Sequence, residues 1–202
     1  SISKVRHDRS GGRLMYSSFR ILCVISICFA SGSLSANDLQ TARLHWLKGR
    51  YAEAEEVCNI LAKSNTEPAK VSILLGRIHQ SQGKWEEVRR VVEEATKRHP
   101  QEASVWARLA EIDFLQGRYD QVEASLEKAL KLDPDQTLAR IVRADWLTET
   151  GRLTEALEAY VWFVRYYNRV QPTEAETLIH VARGAVQYAR WKRSNQIFSF
   201  TI

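Results

Sequence analysis

The residues of this chain that could do chemistry are few and widely spaced. Its five histidines are His7, His45, His79, His99 and His180, and none belongs to an H-E-x-x-H pair, which would set two imidazoles on one helical face for zinc. Its three cysteines, Cys23, Cys28 and Cys58, include no pair at metal-ligand spacing. Gly83-Lys84 lacks the preceding Gly-rich loop that cradles a phosphate, and neither G-x-G-x-x-G nor G-x-S-x-G occurs. Adjacent acids at Glu55-Glu56, Glu86-Glu87 and Glu93-Glu94 could exchange protons in a cleft, but they fall on the solvent faces of helical segments. His99 stands before Pro100 at a helix end, where a cation is favourable without any catalytic role. The aromatic run "YVWFVRYY", Tyr160 to Tyr167, reads as core packing rather than a ligand platform. No catalytic, cofactor or metal site is assigned, and the chain is read as a non-enzyme.

The elements that carry these residues recur at a fixed interval. "GRYAEAEEVC" begins at Gly49, "GKWEEVRRVV" at Gly83, "GRYDQVEASL" at Gly117 and "GRLTEALEAY" at Gly151, each step being 34 residues. A period in the range of about 20–50 residues marks a repeat array. Each unit divides into two amphipathic halves hinged at its Gly. In residues 103–117, Val105, Leu109, Ile112 and Phe114–Leu115 recur at helical spacing until Gly117. Gly supplies the left-handed backbone that ends many helices. In the second half, Tyr119, Val122, Leu126, Ala129, Leu130 and Leu132 share a face, and Pro134 stops the helix, as Pro100 does one unit earlier.

These features resemble the tetratricopeptide repeat, a helix–turn–helix unit of the same length. Residues 103–136 carry the fullest set, with Trp106, Leu109, Ala110, Gly117, Tyr119, Ala129 and Pro134. Residues 69–102 match through Leu75, Gly76, Gly83, Trp85, Ala95 and Pro100. Residues 35–68 keep Ala42, Gly49, Tyr51 and Ala54 but have Thr66 at the Pro position. Residues 137–170 keep Ala144, Gly151 and Ala156, with Leu153 for the aromatic and Asn168 for Pro. A fifth, irregular and truncated unit over 171–202 aligns if Trp191 plays the part of Tyr119. That alignment needs four extra residues near "RYYNRVQP" and a turn at Ala189 without Gly. The apolar end "IFSFTI" lacks the polar cap of a solenoid end, so further chain is expected beyond it.

The resemblance implies an all-α solenoid of helix–turn–helix tetratricopeptide repeats wound as a right-handed superhelix, with four repeats over 37–170. Trp85, Trp106, Tyr119 and Trp191 are expected to serve its core. Its concave surface, lined by the first helices, is expected to bind a peptide or a partner helix. The groove positions most suited to that role are Arg43, Trp46, Lys70, Arg77, Glu111, Phe114 and Asp145. Leu39, Ile73, Gln80, Ser104, Ala107, Leu138, Ile141 and Thr148 fill the remaining places. A chaperone-type carboxylate clamp is disfavoured, since Leu39, Ile73 and Ala107 stand where polar residues are wanted and no Asn lies in the groove.

Charge separates a binding scaffold from a nucleic-acid binder. The chain carries a net +5, of which Lys4, Arg6, Arg9, Arg13 and Arg20 against Asp8 give residues 1–36 a net +4, leaving +1 for residues 37–202. A nearly neutral array has no electrostatic footprint for phosphate, so no nucleic-acid partner is expected. Residues 1–36 read as upstream sequence to residue 14, then a secretory signal. Met15 acts as the start, followed by Arg20, the apolar run "ILCVISICFA" at 21–30 and the small residues "SGSLSAN". That run is shorter than the roughly 20 apolar residues of a membrane span. Export to the periplasm or beyond is expected, with an uncleaved membrane anchor as the alternative. Cys23 and Cys28 would leave with the signal, and Cys58 then stands alone as a small core hydrophobe. The reading is a non-catalytic protein–protein interaction scaffold. Its rival is an N-terminal docking arm of an exported, peptidase-like enzyme whose catalytic domain lies beyond residue 202.

Overall fold

The computed structural model describes residues 36–199, with side chains over 38–194. Residues 1–35 of the expected targeting segment, and the chain end from residue 200, lie outside the described residues. Among the described residues there are nine helices and no strand. They are α1 (Ala36–Leu47), α2 (Tyr51–Lys63), α3 (Pro68–Ser81), α4 (Trp85–Arg98), α5 (Ala103–Leu115), α6 (Tyr119–Leu132), α7 (Thr137–Glu149), α8 (Leu153–Val170) and α9 (Ala175–Ser199). The architecture is an all-α helical-repeat solenoid. No described helix is long and apolar enough to cross a membrane.

Each hairpin turns on the glycine that the spacing singles out. Gly117 has φ +70°, and Arg118 N–H donates back to Asp113 C=O at 2.8 Å. Arg50 to His45, Lys84 to His79 and Arg152 to Leu147 repeat that bond at the other turns. This closure satisfies carbonyls that a helix end leaves without partners, and it requires the left-handed residue in between. The four turns are copies of one another because the sequence around each Gly is.

Small residues stand at the centre of the helix packing. Ala42, Ala54, Ala110, Ala129, Ala144 and Ala156 are fully buried. Around them pack Val88, Val105, Ile112, Val122, Ile141, Leu147 and Phe163, also without significant exposure. Cys58 is buried among them, and burial, with Glu55 adding to it, pushes its thiol up to about 12. It behaves as the core hydrophobe that the sequence suggests.

Three expectations need correction. The repeat aromatics sit at the edge of the core rather than within it. Trp85, Trp106 and Trp191 are half-buried, and Tyr119 is exposed. For Trp106 the reason is its indole N–H, which donates to Pro100 C=O in the inter-unit loop at 2.9 Å and holds the ring beside that loop. Tyr119 leans on Phe114, with ring centroids 5.9 Å apart. Second, the turn expected at Ala189 does not form: α9 runs unbroken over 25 residues. Ala, Arg, Trp and Lys there are all compatible with a helix, and no Gly supplies the left-handed residue. Third, Ala107, Leu138 and Ile141 are buried among the helices rather than open to a groove. The four extra residues of the fourth unit lengthen α8, which has 18 residues where α4 and α6 have 14.

Candidate groove on the first-helix face

The face most suited to a partner follows from which helices touch. The first helices pack in series, α1 on α3, α3 on α5, α5 on α7 and α7 on α9, whereas no two of α2, α4, α6 and α8 pack directly. In a curved stack the helices on the inner side crowd together and those on the outer side splay apart. The inner, concave side of this unit is therefore the side of the first helices.

Two of the seven expected groove residues converge there. Arg43 on α1 and Arg77 on α3 both bind the carboxylate of Glu176, in the first turn of α9. The Arg43 Nη2 to Oε2 distance is 3.0 Å, and Arg77 takes Oε1. Beside them Arg108 of α5, with only 2% of its side chain exposed, donates to Glu111 and to Gln80 of α3. Burial pushes the Arg108 guanidinium below its ordinary value, and Glu111 opposes that shift.

Asp145 on α7 lies further along, joined to Arg183 of α9 and accepting a hydrogen bond from Tyr160 Oη at 2.8 Å. Burial raises the Asp145 carboxyl above its usual range, with Arg183 and Tyr160 working against the shift. Burial likewise pushes the Tyr160 phenol up to about 12. Between these two groups His180 of α9 is buried, its Nδ1 3.0 Å from Thr137 Oγ1. Burial lowers the His180 pKa, while Glu176 and Glu111 pull it back up.

The other expected residues are placed differently. Trp46 packs against the N-terminal core and donates its indole N–H to Ser81 Oγ at 2.9 Å. Lys70 pairs with Glu67, the residue just before α3. Phe114 lies against the C-terminal core. Sequence reasoning missed Arg108, Glu176, His180 and Arg183. A signal for three of them was present: Glu176, His180 and Arg183 stand at i, i+4 and i+7, one polar stripe on α9. Among the described residues no three His, Cys, Asp or Glu side chains gather as a metal site would need.

Three family models, each described as tetratricopeptide repeat, match residues 38–58, 69–112 and 103–136. The last is the unit whose repeat residues are most complete. Nothing among curated proteins matches the chain. Among solved structures it is similar to a thermophilic TPR protein of Thermus thermophilus, with TM-score 0.57 and 22% identity over 74% of this chain and 80% of that one. It is also similar to MamA, with TM-score 0.49 and 19% identity over 81% and 87% of the two chains. A third is the TPR2B domain of yeast Sti1 in a complex with pHsp70, with TM-score 0.47 and 20% identity over 59% and 96%.

Proposed function

The chain is a tetratricopeptide repeat protein, and from that premise we propose that it is an interaction scaffold binding a peptide or a partner helix along its first-helix face. The observation that carries this reading is the meeting of Arg43 and Arg77, from separate repeats, on one carboxylate. A face built only to be solvated has no reason to gather like charges from two units at a single point. Arg108 adds a third guanidinium behind them, and its burial holds it in one place. Further along, Asp145 is taken up by Arg183 and Tyr160, so a bound segment would be read for charge chiefly at the arginine end.

The test is to select peptides from a random library on the full chain and to footprint the tightest by hydrogen exchange. Protection should fall on α1, α3, α5 and α7. Protection confined to α2, α4, α6 and α8, or a library that yields no saturable binder, would count against the groove.

A further inference from the structure

The carboxylate held by Arg43 and Arg77 belongs to the chain itself, and its source is distant in sequence. Glu176 lies 133 residues from Arg43 and 99 from Arg77. Helix α9 packs on α7 and α8 but not on α1 or α3, so the side chains of Glu176, Arg43 and Arg77 together span the remaining gap. Each carboxylate oxygen is used by a different guanidinium. The rest of the α9 stripe is engaged as well, His180 with Thr137 and Arg183 with Asp145, so the first turn of α9 is held in front of the arginine pair.

Accessibility decides whether this is a permanent tie or a displaceable one. Glu176 is 39% exposed, Arg43 44% and Arg77 21%, so water reaches all three groups. Ion pairs of that exposure are weak, because solvent screens them. A partner offering a carboxylate and further contacts could replace Glu176 at small cost.

We infer that Glu176 is a built-in occupant of the Arg43–Arg77 site, and that an acidic segment of a protein partner must displace it to bind. The inference rests on the proposed groove and adds its regulation. The partner's chemistry follows from complementarity: two arginines that hold one carboxylate side chain will hold another. Helix α9 then acts as a weak plug. It discriminates against segments without an acid at this place, since they would leave Glu176 seated.

The probe is a fluorescent hexaglutamate peptide, capped at both ends, titrated at low salt into the full chain and its variants. E176Q should bind it about three- to tenfold more tightly than the parent, the factor that two half-exposed ion pairs can supply. The gain should vanish in R43Q/R77Q/E176Q and at high salt. Thermal melts accompany each titration. If E176Q fails to fold, E176D carries the test, since it keeps the charge but is one methylene too short to serve both arginines. Equal binding by parent and E176Q, with loss in R43Q/R77Q, overturns the plug and leaves the groove standing. A peptide that binds none of the proteins also overturns the plug, with Glu176 reduced to a cross-tie. The groove itself is then judged by the library footprint alone.

Discussion

At the scale of single residues, the buried groups with perturbed chemistry, Cys58, Arg108, Asp145, Tyr160 and His180, are perturbed first by burial, whereas the exposed pair Arg152 and Glu155 is shifted by the hydrogen bond between its members. His180 is the clearest case. Its imidazole is enclosed beside Thr137, with Glu176, Glu111, Arg77 and Arg183 acting on it from around the groove. Burial holds its folded-state pKa below the ordinary value of about 6.5. The native state therefore binds the proton less readily than the unfolded chain does. Its contribution to stability is complete above about pH 6.5 and is lost as the pH falls toward the folded-state value. Buried His79, also lowered mainly by burial, acts in the same direction. Urea midpoints should thus decline between about pH 6.5 and 5, before most carboxylates titrate, and His180→Gln should flatten part of that decline. A variant with the parent's slope would show that His180 does not titrate with unfolding. Residues at this scale were only partly legible in the sequence. Arg43 and Arg77 could be put on the first helices from the repeat register, and the resemblance to the tetratricopeptide repeat implied that they line the groove. Arg108 could not, because a charged residue is expected in water until a partner such as Gln80, one unit away, is known.

At the scale of the helix, the turns were legible and the packing of the last helix was not. The 34-residue step located all four left-handed glycines, because backbone geometry at a turn depends on the residue standing there. It could not reveal Gly184, which lies mid-helix in α9 and whose reason is a neighbour. A Cβ at that position would fall inside the van der Waals surface of the Phe163 ring on α8. Phe163 is fully buried and has nowhere to move. Gly117 is the reverse case, since nothing lies within 4 Å of its absent Cβ and only φ +70° constrains it. Gly184→Ala should therefore cost about 3 kcal/mol, the upper end for overpacking, and lift α9 from α8. Gly117→Ala should cost about 1–2 kcal/mol from backbone strain and leave α9 docked. Thermal melts measure the cost, and tryptic cleavage at Arg183 and Arg190 reports undocking. If the two variants lose equal stability without new cleavage in α9, the close α8–α9 approach is not what Gly184 provides.

At the scale of the molecule, the shared core is uneven along the array. One cluster, Ala42, Ala54, Cys58, Leu61, Val71, Leu74 and Ile78, joins α1 to α3. A much larger one runs from α5 to α9 around Val122, Leu126, Ile141, Leu147 and Phe163. Between them lie two groups of three buried residues: Ala69, Ala95 and Val105, and Val88, Val92 and Ile112. The charge-rich helix α4 is the cause, since "WEEVRRVVEEATKR" offers Val88, Val92, Ala95 and Thr96 to the interior and little else. Part of the coupling there is polar instead: Arg89 of α4 and Arg118 both bind Asp113 of α5, whose side chain is 2% exposed. In a repeat array, stability is close to a sum of unit terms and nearest-neighbour interfaces, so a thin interface is where cooperativity should break first. Val92→Ala removes the equivalent of two methylenes at that seam, for about 2 kcal/mol with its cavity. Val142→Ala makes the same chemical change inside the large cluster. Hydrogen exchange followed by mass spectrometry in low urea should show α1–α3 opening well before α5–α8 in Val92→Ala. In Val142→Ala the same measurement should show α5–α8 destabilised without an earlier opening of α1–α3. If both variants shift a single transition with all helices exchanging together, the polar contacts at Asp113 couple the halves as strongly as an apolar core would, and the array unfolds as one body.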